Sequence, residues 1–182
     1  MLARRWQEVV WREHQRWTRI DGRAVNYVEI GSGPPVLLVH GLSGAWQNWL
    51  ETIPDLARDH RVVAVDLPGF GESEMPRDKI SISGYGVFLD RFMEQVGMDA
   101  ATLVGNSMGG FVSAEAAIKF PHRVERLVLV AAAGISIEHR RSEPLLKAMY
   151  LGESVAQWVT AQVAGRCSGT SRRTPSAGRR RW

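Results

Sequence analysis

Thr102-Leu103-Val104-Gly105-Asn106-Ser107-Met108-Gly109-Gly110-Phe111 is the stretch whose reading decides the fold. A short apolar run ends in Gly-x-Ser-x-Gly, and a helical pattern follows over 108–119. That sequence of events holds a serine at the tip of a strand-to-helix turn, its hydroxyl projecting from a sheet edge. The turn strains the serine backbone. Gly105 and Gly109 leave room where a side chain would clash, and Gly110 lets the helix lie close to the sheet. The helix N-terminus aims backbone N–H groups at whatever oxygen reacts there. Ser107 is therefore the candidate nucleophile. The alternative is an ordinary strand–turn–helix carrying a surface serine. A lone five-residue pattern is weak, so its context has to carry it.

The context repeats on both sides. Upstream, 16–21 and 23–30 read as a β-hairpin about Asp21-Gly22. Val36-Leu37-Leu38-Val39 and Val62-Val63-Ala64-Val65 are all-apolar runs, as expected of strands buried on both faces. The run 101–104 is a third, and 124–133 a fourth. Helical spacing is present over 46–58, with Pro54 inside it, and over 83–96. Trp6, Val9, Val10 and Trp17 would share a face of an amphipathic N-terminal helix packed on the domain edge. Short apolar strands alternating with helices predict an α/β fold: a mostly parallel sheet with helices on both faces, preceded by the hairpin. Ligands of such sheets bind beyond the carboxyl ends of the strands. The turns after Val39, Val65 and Val104 all lie at that edge. Gly31-Ser32-Gly33-Pro34-Pro35 is a breaker cluster and not a dinucleotide fingerprint, because a strand follows it rather than a helix.

Composition narrows the classes. The 182 residues fit one domain with a sizeable core. Charged residues at 23% and hydrophobic residues at 45% argue against wholesale disorder. The net charge of +4 is uneven: 166–182 holds six arginines and no acid, which leaves residues 1–165 at −2. A mildly acidic body does not suit nucleic acid, and the basic tail reads as disordered. The single cysteine, Cys167, excludes an intrachain disulfide framework and a cysteine-rich metal site, and reads as a bystander. No run approaches the roughly 18 apolar residues of a membrane span, and no export leader is evident. A cytoplasmic protein without metal or cofactor is the expectation.

Three segments together carry a family resemblance: His40-Gly41-Leu42-Ser43-Gly44, Asp66-Leu67-Pro68-Gly69-Phe70-Gly71-Glu72-Ser73, and Gly105-Asn106-Ser107-Met108-Gly109-Gly110. Over about residues 16–134 the chain resembles the N-terminal portion of the α/β-hydrolase fold superfamily, in its serine hydrolase, lid-containing esterase and lipase-like branch. The resemblance implies that the backbone N–H groups of Leu42 and Met108 form an oxyanion hole. It also implies that His40 and Asp66 shape loops rather than move protons. Serine at the elbow disfavours chemistry built on a carboxylate nucleophile.

The family triad runs serine, acid, histidine in chain order. After Ser107 the chain has no aspartate; its glutamates are 115, 125, 138, 143 and 153 and its histidines 122 and 139. His122 falls at the far end of the helix. Glu138 and His139 are adjacent, a poor arrangement for a relay toward one serine. The triad acid and histidine are therefore expected to be absent from the chain. The resemblance implies residues 1–134 as the first part of the core and 135–165 as the start of a helical lid, with a C-terminal truncation; by composition 166–182 reads as a basic tail, either translated in a wrong frame or an artificial end. The expected activity is hydrolysis of an ester or related acyl bond in a small molecule, weak or lost in this chain. The alternatives are a C–C hydrolase or perhydrolase on the same elbow, and a non-catalytic remnant that self-associates through an open sheet edge.

Overall fold

The computed structural model describes residues 5–77 and 81–132. The readings made above for 133–182, including Glu138, His139, Cys167, the lid and the basic tail, lie outside these residues. Within them, strands β1 (Gln15–Ile20), β2 (Arg23–Ile30), β3 (Pro35–Val39), β4 (Arg61–Val65), β5 (Ala101–Asn106) and β6 (Val124–Val130) form one sheet in the order β1-β2-β4-β3-β5-β6. β3 pairs in parallel with β4 and β5, and β5 with β6, while β1 and β2 make the antiparallel hairpin at one end. β2 joins β4 antiparallel.

Strand alternation sorts the core into two layers. Leu37, Val39, Val63, Val65 and Leu103 face α3 (Ile82–Gln95) and α4 (Met108–Lys119), meeting Leu89, Phe92, Met93 and Val112. Val36, Leu38, Val62 and Ala64 face the other way, onto Trp46, Trp49 and Ile53. Both faces are thus covered, which is why the central strands read as unbroken apolar runs. Ser81 caps α3 by accepting the Gly84 amide at 3.0 Å.

Two local expectations give way. The N-terminal helix is only a 3-10 turn, Arg5–Gln7, followed by the one-turn α1 (Trp11–His14). Of the two readings of Trp17, the hairpin strand holds: it lies in β1 opposite Asn26, because a ladder to β2 satisfies its backbone better than an isolated short helix can. Trp11 does pack on the domain, its ring 5.2 Å from that of Trp46. The span 46–58 is likewise two pieces, a 3-10 turn at Trp46–Trp49 and the one-turn α2 (Ile53–Leu56). Pro54 sits in the first turn of α2, where its missing N–H costs nothing, and it cannot continue a preceding helix.

Registers fix the functional edge. Val39 is aligned with Val65 and with Gly105, so the chain leaves β3, β4 and β5 at one level. At the sheet's other end, β6 exposes Leu127, Val128, Leu129 and Val130 among the described residues. Among those residues, no helix is long and apolar enough to cross a membrane.

Candidate active site

Ser107 stands between β5 and α4 with φ 52° and ψ −117°, a left-handed conformation that a residue with a side chain rarely adopts. Its amide donates to Val130 O at 2.9 Å, and its carbonyl accepts the Gly110 amide at 3.1 Å. The neighbouring strand and the first turn of α4 therefore hold the strain in place. The glycines around it have no space for a side chain. A Cβ on Gly105 would lie 2.4 Å from Gly109 O, and one on Gly109 would lie 2.2 Å from Val39 O. A Cβ on Gly110 would meet Ala132 Cβ at 2.6 Å. The spacing Gly105-x-Ser107-x-Gly109-Gly110 is thus a packing requirement: β5, β3 and α4 approach too closely for any Cβ.

The turn after β3 comes to the same place. Gly41 is buried, and Gly44 N donates to Gly41 O at 3.1 Å, closing a tight turn with Ser43 at φ 58°. Leu42 is half-buried against the α3–α4 layer, and Met108 is buried. Among the described residues, neither the Leu42 nor the Met108 amide donates to an acceptor. Two unused N–H groups flanking a serine can receive negative charge that builds on a substrate oxygen.

His40 and Asp66 are both fully buried at this edge, and both are occupied by backbone. His40 Nδ1 lies 2.7 Å from Gly41 O, while Nε2 accepts the Leu67 amide at 3.0 Å. That pair of partners sets the tautomer with the proton on Nδ1. Burial lowers the pKa of His40 to about 4, although the bond to the Gly41 carbonyl works the other way. The Asp66 carboxylate accepts the Trp46 amide at 2.7 Å and the Glu72 amide at 3.0 Å. Its pKa is raised by burial, against the pull of those two amides. Asp66 therefore ties the turn after β3 to the loop after β4.

That second loop folds around its own first residue. A Cβ on Gly71 would stand 2.2 Å from Asp66 Oδ2. Ser73 Oγ donates to Asp66 O at 2.7 Å and accepts the Asn26 amide at 2.9 Å. Phe70 then packs edge-on to His40 at 5.5 Å. Asn26 and Ser73 were not singled out from the sequence. Ser73 closes the quoted segment, seven residues after Asp66, and that spacing was the available signal; Asn26 offered none.

Among the described residues, the histidine that follows Ser107 in the chain does not reach it. His122 lies in the 3-10 turn Pro121–Arg123 beyond the last residue of α4. A helix of 12 residues places it roughly 18 Å from the serine. No group of three or more His, Cys, Asp or Glu residues suited to a metal ion occurs among the described residues.

Comparison with known proteins agrees with this geometry. The sequence profile of the family described as "alpha/beta hydrolase fold" matches residues 34–174. The chain is 43% identical over 128 residues to the 2-hydroxy-6-oxo-2,4-heptadienoate hydrolase of Pseudomonas putida strain F1, covering 68% of this chain and 46% of that protein. Among solved structures, a meta-cleavage product hydrolase from Pseudomonas fluorescens IP01 superposes with a TM-score of 0.63 at 34% identity, over 65% of this chain and 45% of that one. A bacterial membrane phospholipase A superposes with a TM-score of 0.67 at 27% identity, over 85% of this chain and 62% of that one. The chain spans about half the length, or less, of the curated relatives it matches.

Proposed function

The chain belongs to the α/β-hydrolase fold family, and we propose on that basis that its site serves serine-dependent hydrolysis of a carbon–carbon bond beside a ketone. The substrate class is that of a 2-hydroxy-6-oxo-dienoate. The observation that carries the proposal is the likeness to the heptadienoate hydrolase, 43% identity over 128 residues. A compound of that name holds neither ester nor amide, so the electrophile for water is its 6-oxo carbon. Hydrolysis there breaks the bond to the neighbouring chain carbon and releases a carboxylic acid and a shorter dienol.

In this reading Ser107 adds to the ketone, and the oxygen that becomes negative is met by the Leu42 and Met108 amides. His40 and Asp66 hold those two turns in register and transfer no proton. The base and its orienting acid are supplied by no described residue. Turnover by the 182-residue chain is then the residual rate left by an oxyanion hole acting without its base.

The sequence alone favoured an ester as the substrate. The relatives now weigh toward the carbon–carbon bond, and the ester reading is kept second, supported by the likeness to the phospholipase A. Both are tested by incubating the pure chain with 2-hydroxy-6-oxohepta-2,4-dienoate and, separately, with p-nitrophenyl acetate. The expected result is slow release of acetate and 2-hydroxypenta-2,4-dienoate that Ser107→Ala abolishes. Ser107-dependent ester hydrolysis without dienoate cleavage would return the ester to first place. Full turnover at ordinary enzymatic rates would overturn the expectation of a residual rate.

A further inference from the structure

A cavity of about 340 Å³ opens where the β1–β2 turn, the loop after β4 and the start of α3 meet. That is the low end of the range for small-molecule sites, about 300–1,000 Å³. It is not the Ser107 site. β2 and β5 are separated by β4 and β3, three strand spacings or roughly 14 Å.

The cavity has an apolar wall and a cationic rim. Val25, Pro68 and Phe88 contribute to the wall, together with Tyr85, whose hydroxyl donates to Pro68 O at 2.9 Å. Five charged residues line it. Arg91 is paired with Asp21, and both side chains are more than half exposed. Glu74 is occupied by the hairpin: its Oε2 accepts the Ala24 amide at 2.8 Å and its own amide donates to Ala24 O at 2.9 Å. Arg23 and Arg77 are left. The Arg23 Nε is buried with no hydrogen-bond partner, and Arg77 has neither an ion pair nor a hydrogen bond among the described residues.

A buried guanidinium N–H without an acceptor is uncommon and costly, so its position calls for one. Among the described residues these two arginines have no partner and face one carboxylate, that of Glu74, which favours an acceptor carrying negative charge. The planar fork of arginine fits a carboxylate with two parallel bonds. The apolar wall leaves room for a hydrocarbon body and offers nothing to a second charge. We propose that this cavity binds small monocarboxylates with an apolar body, at a place separate from the nucleophile and independent of the chemistry assigned to Ser107.

The probe is hexanoate, titrated into the full 182-residue protein and followed by residue-resolved NMR. Saturable shifts are expected at Phe88, Tyr85 and the Arg23 Nε–H, with Leu42 and Met108 unmoved. Arg23→Gln and Arg77→Gln should each weaken binding about tenfold, the scale of one charge-assisted contact. Arg77 is exposed, so its variant tests the site even where Arg23→Gln does not fold. The proposal is overturned by absence of saturable binding up to about 50 mM, far above the millimolar range of a weak site. It is overturned equally by shifts centred on Leu42 and Met108, or by unchanged affinity in Arg77→Gln. Binding of hexan-1-ol or inorganic phosphate as tight as that of hexanoate would also defeat it, since the first needs no charge and the second no apolar wall.

Discussion

Gly41 lies directly against Ser107: a Cβ on Gly41 would stand 3.1 Å from Ser107 Cβ and 3.7 Å from its Oγ. The turn carrying the Leu42 amide therefore packs its glycine directly against the Ser107 side chain. Gly41→Ala should keep the fold, at a cost of about 1–2 kcal/mol, because Ser107 and Asn106 O need to give by only a few tenths of an ångström. Its effect on chemistry should be larger. A small displacement of the Leu42 amide should lower Ser107-dependent turnover at least about tenfold. Urea melts and product release measured on the same preparation compare the two losses. Equal loss of stability and no loss of rate would argue against Leu42 as a donor.

Gly109 and Gly22 separate two kinds of glycine requirement. Gly109 has backbone oxygens of Val39 and His40 within 2.4 Å of its imagined Cβ, whereas Gly22 has nothing within 4 Å and only a φ of 76°. Gly22→Ala should cost about 1 kcal/mol, the local price of left-handed backbone. Gly109→Ala should cost about 3 kcal/mol or more, since β3 and α4 must part. Denaturant midpoints of the two variants decide it, and similar values would mean that the α4–β3 approach is not rigid.

The strain at Ser107 is itself measurable. Its φ of 52° with ψ of −117° suits glycine better than any residue with a Cβ. Ser107→Gly should therefore be more stable than Ser107→Ala by about 1 kcal/mol, even after glycine's greater freedom in the unfolded chain. Both variants lack the hydroxyl, so the comparison isolates backbone strain. A Ser107→Ala protein equal to or more stable than Ser107→Gly would show that the elbow stores none.

His40 should make the fold sensitive to mild acid. Its ordinary pKa of 6.5 falls to about 4 in the folded protein. Between those values the unfolded chain binds a proton that the folded chain refuses. Stability is then full above pH 6.5, falls as pH drops through the window, and levels off below about pH 4. The loss amounts to about 3 kcal/mol. Asp66 works in the opposite sense, since its raised pKa lets the folded chain take up a proton first. The comparison is therefore with His40→Gln, which keeps Asp66 and can still donate to Gly41 O and accept from the Leu67 amide. Urea midpoints from pH 7 to 4 should fall more steeply in the wild type than in His40→Gln, and parallel curves would refute the assignment.

Much of the fold was legible because its signals are local. Val36–Val39, Val62–Val65 and the run before Gly105 are apolar throughout because each strand packs on both faces. The Gly-x-Ser-x-Gly spacing is legible because each glycine stands where a Cβ would strike a backbone atom or the Ala132 methyl. Alternation of strand and helix then brings the turns after Val39, Val65 and β5 to one edge. The sequence by itself therefore determined the sheet class and the place of Ser107 at the turn between β5 and α4.

Only the tertiary structure decided which groups are free to react. From the sequence, only the family resemblance gave His40 a loop-shaping part. In the fold both of its nitrogens face backbone partners, one of them 27 residues away at Leu67. Asp66 is likewise held by amides from Trp46 and Glu72. Propensity and periodicity depend on neighbours in the chain. The satisfaction of a buried polar group depends on whichever distant backbone packs against it, and that is fixed only when the sheet closes.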